Sequence, residues 1–250
     1  MIRIVVFVVL SVFVAVGVGI AFFPLSWTTS FLAQNVRGFS YNEATGSIWS
    51  GKLTNVQYRT QRLGDVSFRF DALKLFGGKL GAAVAFETPD LSMDGFFAFG
   101  IFDHAGELTA ISLKGRTARI PGLPATLQAI PSDFKVELES VKLTKDGGCA
   151  SATGKIWTDM LAKGSTQLGW SGPEISGPIS CDAGRFRADA KGVGANGDAA
   201  EAKVDIGADL KGEVQATVTT KDQLSPSKMA QAGFQSTQPG RWDMTLKLDR

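Results

Sequence analysis

The chain of 250 residues holds a single histidine, His104, so any Ser–His–acid triad would have to be built on it. It sits in Phe102-Asp103-His104-Ala105-Gly106, a string that reads as a hairpin turn and offers no local partner for general-base work. Ser225-Pro226-Ser227-Lys228 has the S-x-x-K spacing in which a lysine activates a serine nucleophile. No K-T-G follows, and the other motifs of such enzymes are missing. A helix start explains the same letters, because proline suits the first helical position. Gly192-Val193-Gly194-Ala195-Asn196-Gly197 fits G-x-G-x-x-G, which grips a pyrophosphate only between a parallel strand and a helix N-terminus. The residues after it alternate as a strand, so a hairpin loop is expected. Asp90 and Asp94 lack a third ligand nearby, and a solvated loop explains them better than a cation site. No catalytic group, cofactor or metal is expected, and the chain reads as a binding or scaffolding protein rather than an enzyme.

Two cysteines, Cys149 and Cys181, complete the reactive inventory. A zinc site would need two more ligands, and His104 cannot supply both. In an oxidising compartment an isolated pair is most simply a disulfide, worth about 3–4 kcal/mol in the chain-entropy treatment. A pair of buried free thiols is the alternative. The compartment decides between them, and the N-terminus decides the compartment.

From Ile4 to Phe23 run twenty residues without a charge, with Ser11 the only polar side chain. At about 1.5 Å per residue that run crosses the roughly 30 Å hydrocarbon core of a bilayer. Arg3 precedes it, and no further charge appears before Arg37. By the positive-inside rule residues 1–3 are cytoplasmic and the chain after the helix is periplasmic. Pro24 ends the helix, and Trp27 lies where an aromatic anchor meets the headgroups. A cleaved signal peptide is the competing reading, but it wants a shorter apolar stretch and small residues at its end, not Phe22-Phe23-Pro24-Leu25. Either way the body of the protein leaves the cytoplasm. The expected localisation is the bacterial inner membrane, single-pass.

The elements that must position everything else follow from periodicity. Residues 24–45 form a juxtamembrane segment, amphipathic from Leu25 through Phe31, Leu32 and Val36. From 46 to 250 the period is two. Val66, Phe68 and Phe70 alternate with polar neighbours, as do Phe134, Val136 and Leu138, Val204 through Leu210, and Trp242 through Leu248. The alternation slips phase before Val141 and Leu143, which predicts a β-bulge. Short strands separated by Gly-rich turns, with one late helix over Ser225–Gln235, predict a mainly β protein: a transmembrane helix followed by curved antiparallel sheet. A shared G-x-I-W at Gly46–Trp49 and Gly154–Trp157, with prolines 121, 124 and 131 between, suggests two similar halves, 46–130 and 131–250. Lys and Arg total 26 against 24 Asp and Glu, a net charge of +2 with no basic run, which excludes a nucleic-acid partner.

At Gly46-Ser47-Ile48-Trp49-Ser50-Gly51 the chain resembles the type II secretion system protein N family. The resemblance continues through Pro24 after the apolar run, Val66-Ser67-Phe68-Arg69-Phe70, Leu73 to Leu75, and Gly78-Lys79-Leu80. It returns at Gly177-Pro178-Ile179-Ser180-Cys181-Asp182-Ala183-Gly184, where Cys149 is the implied partner of Cys181. Phe68 and Phe70 stand where the family often has tryptophan, and residues 92–135 do not align. The resemblance implies an accessory inner-membrane component of the machine that exports folded proteins across the outer membrane. It would act by contacts with other inner-membrane components of that machine or with the outer-membrane secretin. Gly46, Trp49, Gly51, Gly177 and Gly184 are then the family-motif residues. A tryptophan's large apolar area favours a core role for Trp49, with partner contact as the alternative. A second resemblance is to AsmA-like envelope proteins, which shelter lipid in an apolar β-groove. It rests on Phe96-Phe97-Ala98-Phe99-Gly100-Ile101-Phe102, apolar on both faces; a buried central strand reads equally well.

Overall fold

The structure is a computed structural model that describes residues 38–58, 61–119, 123–194, 196–207, 209, 211–222 and 224–248. Arg3, the apolar run 4–23, Pro24, Trp27 and the amphipathic stretch 25–37 lie outside the described residues. Among those described, no helix is long and apolar enough to cross a membrane. The chain divides into two compact units between Thr88 and Pro89.

The first unit is an antiparallel sheet of β1 (Phe39–Ser40), β2 (Glu43–Gly46), β3 (Ser50–Tyr58), β4 (Gln61–Asp71) and, after the one-turn helix α1 (Ala72–Phe76), β5 (Lys79–Thr88). β1 and β2 both pair with β3, which pairs with β4, and β4 with β5. Register places Leu53 beside Val66 and Val66 beside Phe86, so the alternation read from β4 continues across its neighbours. Leu53 and Val56 are buried, with Phe39, Tyr41, Ala44, Val66 and Phe68 packed on them.

The second unit carries β6 (Leu91–Gly100), β7 (Gly106–Arg116), helix α2 (Ala125–Gln128), β8 (Asp133–Leu143), β9 (Cys149–Thr158) and helix α3 (Ser165–Leu168). Next come β10 (Ile175–Asp182), β11 (Arg185–Val193), β12 (Ala199–Ile206), β13 (Gly212–Thr219), helix α4 (Pro226–Gln231), β14 (Gln235–Gln238) and β15 (Arg241–Leu248). Neighbours pair antiparallel in chain order from β6 to β13, after which β15 pairs with β13 and β14 closes the edge. The antiparallel all-β architecture is the one that the period-two pattern predicts. The predicted phase slip is a register shift: Leu138 faces Gly154 but Ser140 faces Thr153, leaving Glu139 as the extra residue.

Two boundaries differ from the pattern. Of the alternation expected through Leu210, Ala208 and Leu210 lie outside the described residues, and β12 ends at Ile206, where Gly207 donates to the Lys211 carbonyl at 2.9 Å. The late helix stops at Gln231, short of Gln235. Gly233, at φ +88°, turns the chain, and the Phe234 amide donates to the Met229 carbonyl at 2.9 Å.

The second unit's core lies on one face of β10 to β15, under a cap made by the segments around α2, α3 and α4. Leu127, Leu168 and Met229 are fully buried there, against Ala190, Ala200, Val218, Trp242 and Met244 of the sheet. Small alanines on the central strands leave the depth that Trp170, Phe234 and Trp242 fill. Trp170 sends its indole N–H to Asp198 at 3.0 Å, which satisfies the ring's one donor inside the core. Asp198 is only 4% exposed. Its hydrogen bond from the Thr220 side chain leads the effects holding its carboxyl below the usual range, with Trp170 adding to it and burial opposing.

Cys149, buried at the start of β9, and Cys181, near the end of β10, are joined by a disulfide with Cα atoms 5.6 Å apart. The bond ties two neighbouring strands beyond the last pair of their ladder, Ile179 with Gly154, and the Cys149 amide donates to the Gly184 carbonyl at 2.9 Å.

Two predictions follow from these contacts. Replacing both cysteines by alanine lowers unfolding stability by about 3–4 kcal/mol in the chain-entropy treatment for this 32-residue separation. Urea midpoints that coincide for oxidised wild type and the double variant would count against it. Asp198→Ala, which strands the indole N–H and the Thr220 hydroxyl, costs about 1–3 kcal/mol. Because the native carboxyl is held low, its contribution is present above the unfolded carboxylate pKa and disappears as pH falls through the lower folded value. The gap between wild type and variant therefore narrows in acid, and a gap that widens below pH 4 (roughly the unfolded carboxylate value) would reject the assignment.

Candidate functional site

Strand alternation sorts the second unit's sheet into two chemically different faces. One face carries side chains in rows across the strands. Ala190, Ala202, Ala216 and Met244 form one such row, and Val204, Val214 and Leu246 form the next, beginning at Ala188. A further row runs from Cys181 through Phe186, Ile206 and Gly212 to Leu248. The cap buries Ala190 and Met244 of the first row and packs against the half-buried Ala202 and Ala216, while Val204, Val214, Leu246, Phe186, Ile206 and Leu248 are half-buried and outside that core. The apolar surface thus extends past the core that the cap closes.

The opposite face is ionic. Arg185 and Arg187 both reach Asp205, Arg187 Nε at 3.0 Å, and Arg187 also pairs with Asp182. Arg185 is the main reason the Asp205 carboxyl lies below its ordinary range. Lys191 meets Glu201 at 2.8 Å. Thr217 and Thr237 each donate to Asp243 at 2.6 Å, holding its carboxyl low as well. Such exposed pairs each add little stability, but they keep this face wet and fix which way each strand points.

The family-motif residues are turn and packing positions. Gly46 pairs with Gly51 at the β2–β3 hairpin, and the Ser47 hydroxyl accepts from the amides of Trp49 and Ser50 at 3.3 and 3.4 Å. Gly46 has φ +98°, and a Cβ there would lie 2.4 Å from the Ser50 carbonyl oxygen, so no other residue fits without a backbone shift. Trp49 is half-buried, and its carbonyl accepts from the Phe70 amide at 2.7 Å. Gly154, in the second G-x-I-W, is instead inside β9. Gly177 sits where a Cβ would meet the Asp189 carbonyl oxygen at 1.7 Å, so the close approach of β10 and β11 there requires glycine. Ala183 and Gly184 form the two-residue loop between paired Asp182 and Arg185, with φ +49° and +80°, the pattern of a type I′ hairpin.

The residues that first suggested chemistry are scattered over turns, a helix start and strands. His104, at φ +54°, is in the β6–β7 turn, its ring 6.1 Å from that of Phe99. Lys228 Nζ donates to the Thr166 carbonyl at 3.2 Å, while the Ser225 and Ser227 hydroxyls meet at 3.1 Å. Gly192 and Val193 end β11, where they pair with Ala200 and Ala199 of antiparallel β12, and Gly194 and Gly197 lie in the turn that follows. Asp90 pairs with Arg116 at 3.2 Å, and Asp94 is within β6. Among the described residues no three acidic, histidine or cysteine side chains are placed to share a metal ion. Of Phe96 to Phe102, the inner residues are half-buried or buried, whereas Phe99, Ile101 and Phe102 are exposed toward the hairpin tip. A second exposed group, Phe70, Leu73, Leu75, Phe76 and Leu80, surrounds α1. The signal for it was present as apolar letters inside a turn, Leu73-Lys74-Leu75-Phe76-Gly77-Gly78.

No curated protein matches the chain, and no solved structure does. The family model described as type II secretion system protein N matches residues 37–239, which contain both glycine hairpins, the disulfide and every strand of the two-faced sheet except β15. The chain belongs to the type II secretion system protein N family.

Proposed function

We propose that the protein is an accessory inner-membrane component of the type II secretion system, supporting export of folded proteins from the periplasm across the outer membrane by protein–protein contacts. The family match over residues 37–239 carries the reading, and the half-buried apolar rows past the cap supply a surface for such contacts. Residues 4–23 span the inner membrane, with Arg3 on the cytoplasmic side and Pro24 and Trp27 at the far interface. The β units then stand in the periplasm, where a disulfide persists. Other inner-membrane components are the expected partners, and the secretin of the outer membrane is another.

Deleting the gene should trap folded exoproteins in the periplasm, read by fractionation and activity assay. Wild type and Thr245→Asp, on the ionic face, restore secretion, whereas Leu246→Asp, on the apolar face, lowers it at least several-fold. Abundance and an intact disulfide in the Leu246→Asp protein separate lost contact from lost folding. Unchanged secretion in the deletion strain would overturn the proposal.

A further inference from the structure

The turn between β4 and β5 is built unlike the other hairpins. Asp71 caps α1 by accepting from the Leu73 amide at 3.1 Å, and the Gly77 and Gly78 amides each close on α1 carbonyls at 3.0 Å. The tip therefore holds one helical turn, yet none of its residues is buried. Leu73 is 77% exposed and Phe76 91%, with Phe70, Leu75 and Leu80 also exposed. A five-residue helix is too short to be stable alone, and here it packs no apolar side chain inward.

Direction matters as much as exposure. Successive helical residues point about 100° apart, so Leu73 and Phe76 share one side of the turn while Leu75 is exposed away from it, as are Phe70 and Leu80 on the strands beside α1. A groove in a partner protein takes one stripe, at i, i+3 and i+4. A bilayer receives a protruding tip from all sides at once. The charges agree, since between Val66 and Phe86 the three cations Arg69, Lys74 and Lys79 outnumber the single acid Asp71. Apolar side chains at a tip with cations around them are the composition of an interfacial insertion element for anionic lipid.

We propose that the β4–α1–β5 tip is a second membrane contact, in which Leu73 and Phe76 enter the headgroup region and Lys74 and Lys79 meet anionic phospholipid. The inference rests on the proposed location of the domain at the bilayer. A domain held at two points would face the membrane in a defined orientation, not swing about its N-terminal tether.

The test uses the full chain in nanodiscs of phosphatidylethanolamine and phosphatidylglycerol. Phe76→Cys and Leu73→Cys are labelled with an environment-sensitive fluorophore without reductant, and Val193→Cys, at a residue 77% exposed beside the β11–β12 loop, is the control. The expected result is several-fold stronger quenching by spin-labelled lipid, and weaker quenching by iodide, at 73 and 76 than at 193. Combining Lys74→Glu with Lys79→Glu, or replacing the lipid by phosphatidylcholine, should cut the lipid quenching at least two-fold. Iodide quenching equal to the control overturns the proposal. So does protection from both quenchers, which would assign the tip to a protein contact such as a second copy. Carbonate extraction of native membranes reports separately on the N-terminal anchor, so a retained chain with a water-exposed tip rejects this inference alone.

Discussion

Cross-strand register in the second unit is the constraint on which the rest depends. A slip of one residue exchanges the two faces of a strand. On β11 such a slip would bring Arg187 and Asp189 into the places of the buried Ala188 and Ala190. The cost of burying either charge unpaired exceeds what any single hairpin contributes. Register is held by the type I′ loop at Ala183-Gly184, by the close approach at Gly177, and by the disulfide beside both. Gly177, Ala183 and Gly184 thus act here as register-setting residues.

The same alternation makes one sheet do two jobs. Apolar rows supply the core where the cap covers them, and remain half-buried where it does not. The ionic rows on the other face oppose stacking of a second sheet, since Asp205, Arg187, Lys191 and Glu201 would all have to lose water together. The edge is handled separately. β14 is four polar residues, Gln-Ser-Thr-Gln, all exposed, and its pairing with β15 is interrupted by a register shift. Short, polar and irregular, it is a poor template for uncontrolled strand addition.

Much of this was legible in the sequence because a strand's period of two survives almost any tertiary context. The strands around Phe68, Val136 and Met244, the bulge before Val141 and the proline-led helix at Pro226 all follow from local rules. Strand ends were harder. Val204 and Ile206 begin an alternation with no stop signal of its own, yet the Gly207 to Lys211 hydrogen bond ends β12 at Ile206. Of the cap, only α4 was legible. Leu127, Leu161, Leu168 and Leu224 lie in short helices and loops without periodicity, and only the fold brings them over the alanines. Nor does spacing reveal the link between Trp170 and Asp198, which are 28 residues apart and meet because the β11–β12 loop passes under the cap.

The proposed role asks little affinity of any single surface, and that suits this molecule. Half a dozen half-buried apolar residues are far short of the 20–30 residues a side that a stable standalone interface commonly uses. In free solution such a patch would associate weakly, because the loss of translational and rotational freedom consumes most of its interaction energy. A membrane tether changes the arithmetic, since confinement of both partners to one surface raises their effective concentration toward the millimolar range of short flexible linkers. Contacts too weak to show in dilute solution then become occupied, and they stay exchangeable on the timescale of a machine that must pass folded cargo. A net charge of only +2 fits the same logic, because selectivity by confinement needs no long-range field to find its partner.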